Sequence, residues 1–167
     1  VHSRRLTRNE RLTEVLEQQY RLPAGQPVDR WLDTRWHAPA TMELWVGAAP
    51  AGSPDPRSVG KRQPYAHIFT PETVRSTHYF FATSYPVRMG GEAVQRAAAD
   101  IEFLRMPFEQ EDQPMLEAQQ REMGDAEFWS LKPVLLAGDA PAVRARRVLD
   151  GLIKAEQDGA QPTGASR

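Results

Sequence analysis

Asp112 lies where a helix should be apolar. With residues 92–123 read as helical, Val94, Ala97, Ile101, Leu104, Phe108, then Asp112, then Met115 and Leu116 follow at steps of three and four, so the carboxylate stands in line with a core-facing stripe. An ionised carboxylate taken out of water needs a cation, a metal or several donors beside it. Two readings are open from the residues alone. Asp112 stands at the edge of the stripe, where it pairs with an arginine or caps a second helix starting near Pro107, or it is a metal ligand. Glu111, its neighbour, points about 100° away on a helix and reads as a solvated or salt-bridged side chain. Of the other metal-ligating types there are four His, at positions 2, 37, 67 and 78, and no Cys. An imidazole at His67 that faces a cavity could hydrogen-bond a carboxylate or a phenol, or it could be satisfied by nearby backbone. His78 alternates with Tyr79 along a strand and reads as structural, and His37, beside an Ala-Pro turn, reads as exposed.

These residues must be held by a strand-rich front and a helical back. Residues 1–22 are polar and basic, with Arg4, Arg5, Arg8 and Arg11, and lead into a helix that places Leu12, Val15, Leu16 and Tyr20 near one face. Runs rich in aromatic and β-branched residues predict strands over Val28–His37, Met42–Ala49, Gln63–Thr70 and Arg75–Tyr85. Pro and Gly between residues 50 and 64 mark a long exposed loop, and strands joined by loops form an antiparallel meander. In the back half, Pro107 and Pro114 each remove a helical hydrogen bond, so the long helix should kink or restart beside Asp112 and aim its carboxylate. A last helix follows Asp139 as N-cap, with Ala145, Leu149, Leu152 and Ile153 on one side. From Glu156 onward the residues are small and polar and predict a frayed tail, disordered over 157–167.

Several landmarks, in one order, carry a family resemblance: Val28-Asp-Arg-Trp31, Ala66-His-Ile-Phe-Thr-Pro-Glu-Thr73, Thr77-His-Tyr-Phe-Phe81, the Glu-Asp-x-Pro-Met-Leu-Glu-Ala-Gln-Gln segment at 111–120, and Val143-Arg-Ala-Arg-Arg-Val-Leu149. Together, over about residues 28–156, they resemble the C-terminal catalytic half of Rieske non-haem iron oxygenases of the vanillate O-demethylase and dicamba monooxygenase type. The resemblance implies an α+β architecture of the helix-grip (Bet v 1/START-like) kind, in which an antiparallel sheet wraps a long C-terminal helix around an apolar cavity. It implies that Asp112 is the carboxylate of a 2-His-1-carboxylate site for mononuclear Fe(II). It places His67 and Phe103 against the substrate. Leu44 falls where a relative carries a polar substrate contact, which hints at a more apolar wall.

The family's two His ligands belong to an Asn-x-x-Asp-x-x-His-x4-His motif, and its [2Fe–2S] cluster to a Rieske domain further upstream. Neither motif is in this sequence, and His2 lacks the first His that would pair with it. Residues 1–156 are therefore expected to be the C-terminal part of an oxygenase catalytic domain, a fragment or truncated gene product inactive alone. For the intact enzyme, the resemblance implies a homotrimer fed electrons by a ferredoxin or flavin reductase component. With O2 it would O-demethylate or hydroxylate a small aromatic acid.

Composition limits the alternatives. A net charge of −1 and an isoelectric point near 6.5 leave no electrostatic footprint for nucleic acid, and no apolar run is long enough for a membrane span. A cytoplasmic protein is expected. The competing readings are a helix-grip module that shelters a small apolar ligand without redox chemistry, and an inactive relic.

Overall fold

The structure is a computed structural model and describes residues 1–20 and 22–159. Five strands, β1 (His2–Glu10), β2 (Val28–His37), β3 (Thr41–Pro50), β4 (Lys61–Pro71) and β5 (Thr77–Thr83), form one antiparallel sheet in sequential order. The helices are α1 (Glu14–Tyr20), α2 (Pro56–Val59), α3 (Glu92–Arg105), α4 (Gln113–Met123) and α5 (Ala140–Gln157), with a π-helical segment at Met106–Asp112 between α3 and α4. The architecture is α+β, with the predicted meander and long helix.

β1 corrects the expectation for the first residues, which were read only as a basic stretch. Its arginines do not argue against a strand, because the neighbouring strand answers them. Arg8 donates to Asp29 at 2.6 Å, Arg4 stands 3.6 Å from Asp33, and Arg30 pairs with Glu10 at 2.9 Å. A bulge between Thr7 and Glu10 puts Asn9 at φ 53°, a left-handed conformation that Asn tolerates, and turns its N–H onto Asp29 at 3.0 Å.

The sheet's two faces hold different contents. On one, Trp31 is 2% exposed and lies opposite Gly47 on β3. A Cβ at Gly47 or at Gly60 would fall inside the indole's van der Waals surface, so both positions need glycine. α2 closes this face and corrects the expected exposed loop. Arg57 grips Asp33 with two bonds of 2.7 Å. On the other face, Tyr20 from α1 packs with Val28, Val46 and Ala48, and Leu32, Leu44 and Tyr65 border them.

The expected apolar stripe of the long helix is not a core. Val94, Ile101, Met115 and Leu116 are each more than half exposed, and Asp112 is exposed as well. Periodicity shows which side of a helix suits burial, but the sheet meets this one only locally, at Phe108 and at Tyr85. Asp139 does not cap α5 by its side chain; it accepts the Leu136 N–H at 2.8 Å. Leu152 and Ile153 are exposed, and α5 runs on through Gln157, so the tail begins later than expected. Residues 160–167 of that tail lie outside the described residues.

Candidate functional site

Alternation along β4 and β5 puts Tyr65, His67 and Phe69 on the same face as Tyr79, Phe81 and Thr83, since His67 pairs with Phe81 and Phe69 with Tyr79. The result is a wall of rings. Tyr79 stacks on Phe69 at 5.1 Å and on His67 at 5.8 Å between centroids.

The helix reaches this wall through its irregular segment. Pro107 and Pro114 have no N–H to donate to the carbonyls four residues earlier, and between them the helix widens into π geometry over Met106–Asp112. The predicted break beside Asp112 therefore takes the form of a wider turn. Phe108 comes off it to stack on Phe81 at 5.1 Å and to meet Tyr79 edge-on at 5.6 Å. One turn later Asp112 lies close enough for its charge to act on Tyr79: burial first, and then that negative charge, push the phenol above its ordinary value. α3 is fixed over the end of β5 by Tyr85, which donates to Asp100 at 2.7 Å, while Arg96 holds the same carboxylate at 2.9 Å. Burial and then this carboxylate raise the Tyr85 phenol strongly.

His67 is the buried polar group of the wall, at 5% exposure. Its Nδ1 and the Tyr79 hydroxyl are 2.5 Å apart, and its Nε2 has no hydrogen-bond partner. Burial lowers the imidazole's pKa and keeps it neutral. Leu44 shares the face and pairs with Tyr65, but packs against the α1 core rather than beside Asp112. Phe103 is 39% exposed and makes no ring contact with the wall among the described residues. On an unbroken α-helix nine residues would put it half a turn from Asp112; the wider π turn lessens that rotation. His37 lies 3.1 Å from Glu43 and His78 3.6 Å from Glu72, both exposed and neither at the wall. His2 and Glu111 are exposed.

Asp112, Phe108, Tyr79, Phe81 and His67 thus come together. A hollow of about 630 Å³ lined by Trp45, Lys61, Arg62, Tyr85 and Arg88 shares none of these residues and has no carboxylate or imidazole in its lining. The aromatic wall can hold a flat ring and offer it one neutral polar anchor. Among the described residues no three His, Cys, Asp or Glu side chains gather to hold a metal ion, so Asp112 could supply one ligand and this chain does not complete a site. Tyr79 is the member that sequence reasoning passed over. Pairing β4 with β5 outward from the 72–76 turn would have placed it diagonal to His67.

The chain belongs to the family of the vanillate O-demethylase oxygenase C-terminal domain, whose model matches residues 1–155. Among named relatives, the oxygenase component of chloroacetanilide N-alkylformylase from Rhizorhabdus wittichii is 40% identical over 134 residues, which cover 78% of this chain and 36% of that protein. A crystal structure of dicamba monooxygenase bound to 3,6-dichlorosalicylic acid is similar at a TM-score of 0.78 and 26% identity, covering 93% of this chain and 44% of that one. A second, of dicamba monooxygenase with non-heme iron and dicamba, is similar at 0.65 and 25% identity, covering 94% and 46%. The chain spans less than half the length of each of these three. Among the described residues no helix is long and apolar enough to cross a membrane.

Proposed function

We propose that residues 1–156 are the C-terminal part of the catalytic domain of a Rieske-type oxygenase, with Asp112 as the carboxylate ligand of its mononuclear iron and with the remaining ligands and the [2Fe–2S] cluster outside this sequence. The substrate is a small aromatic acid, oxidised by O-demethylation or hydroxylation. The ring lies against Phe81, Phe108 and Tyr79, and His67 anchors its polar group. The enzyme is cytoplasmic and trimeric and takes electrons from a reductase component.

One observation carries this reading: the only carboxylate whose charge is felt at the aromatic wall among the described residues, Asp112, leaves the helix at a π turn whose preceding ring packs on that wall. Such turns recur at functional sites. Support also comes from the family match and from relatives described as oxygenase components or as holding non-heme iron. The uncovered apolar residues of the long helix fit a domain of which this is a part.

The test is metal analysis of the protein encoded by the complete reading frame. Asp112→Ala should lose its mononuclear iron while the visible absorbance of the cluster is retained. Unchanged mononuclear iron and turnover in that variant would sink the reading.

A further inference from the structure

We infer that Tyr79 is a positioning residue: its phenolic O–H, donated to Nδ1 of His67, holds the imidazole in the Nε2–H tautomer, so that the site takes aromatic ligands presenting an acceptor oxygen. Only the identity of the ligand rests on the oxygenase reading; the tautomer is a property of this chain.

At 2.5 Å the contact is a hydrogen bond with two possible directions. If Nδ1 carried the hydrogen and donated it, the phenolic hydrogen would need another acceptor. Tyr79 makes no second hydrogen bond, and Phe69 and Phe108 flank its ring. That arrangement would strand two groups, the phenolic O–H and the Nε2 lone pair. With Tyr79 as donor, one group is stranded, the Nε2–H. Leaving a buried polar group unpaired is costly, so the direction with a single orphan prevails. The orphan then has a use. An N–H with no protein acceptor, buried beside Tyr79 and Tyr65, discriminates by what it lacks. A carboxylate, sulfonate or amide oxygen completes it, whereas a ligand offering only N–H groups meets donor with donor.

The test is a long-range proton–nitrogen correlation spectrum of the full chain labelled with nitrogen-15 in histidine. There are four His, so the signals lost in His67→Gln assign His67. The expected pattern is a protonated Nε2 and an unprotonated Nδ1. In Tyr79→Phe, which keeps the ring, the Nδ1 signal should move downfield while His2, His37 and His78 stay in place. Added benzoate should shift the His67 Nε2 signal; benzamidine, its donor-only isostere, should not. A protonated Nδ1 in the wild type, an Nδ1 signal indifferent to Tyr79→Phe, or a response to benzamidine in place of benzoate would each overturn the inference. No iron is needed, so failure here is distinguishable from retention of iron in Asp112→Ala, which would sink the oxygenase reading instead.

Discussion

Around Trp31 the chain is packed so closely that two glycines have no room for a methyl group, whereas Val94, Ile101, Met115 and Leu116 on the long helix stand mostly in the open. The candidate site lies between these regimes. β4 and β5 lend it the order of the sheet, and the helix touches it at one ring, one carboxylate and the Tyr85–Asp100 clamp. Stability within this chain therefore belongs to the front of the sheet, and the residues most exposed to chemistry belong to the part that contributes least to it.

That contrast can be broken by substitution, and the largest effect should come from Trp31→Ala. Emptying a fully buried indole site should cost about 3–5 kcal/mol in urea unfolding. Asp29→Ala comes next. It leaves the N–H groups of Asn9 and Gly52 without their acceptor and Arg8 without its counter-ion, and should cost about 2–3 kcal/mol by the same measurement.

The same carboxylate gives a pH signature. Burial alone would raise the pKa of Asp29, but the Asn9 N–H, the Arg8 guanidinium and the Gly52 N–H together hold it below the usual range; Asp33 is held low first by Arg57. A carboxyl depressed in the folded state contributes stability in full above its unfolded pKa of about 3.9, and loses it as the pH falls through the folded value. Unfolding midpoints should therefore drop on acidification below about pH 4, and less steeply in Asp29→Asn.

Tyr85→Phe, which removes the clamp on α3, should cost about 1–2 kcal/mol. Leu116→Ser, on the open side of α4, should change stability by less than about 0.5 kcal/mol. A loss above about 2 kcal/mol there would mean that the helix is buried in solution, and the contrast between the two regions would fall.

What the sequence made legible follows the same division. β2 was read with its observed ends because Val28–His37 is continuous in strand-forming residues between a Gly/Pro turn and an Ala-Pro turn. The break beside Asp112 was legible because proline lacks a donor in any surroundings. β1 was not, since its arginines suit a strand only when Asp29, Asp33 and Glu10 stand across from them or nearby, a tertiary fact. The open helix was misjudged because a stripe declares what it would bury and not whether anything meets it. Asp112, His67 and Phe103 were singled out by type and resemblance. The Tyr79 contact that gives His67 a direction depends on strand register across a hairpin.

The π segment also carries a count. A stretch bonded from each residue to the fifth behaves as an α-helix that has taken in one residue too many, and everything after it is rotated accordingly. Deleting a single residue from it, Gln110 for example, would let α3 and α4 join as one regular helix and swing the following side chains by about 100°. Asp112 would leave the side of Phe108, and Met115 and Leu116 would turn with it. For this helix, a change in length of one residue is a larger event than most changes of residue type.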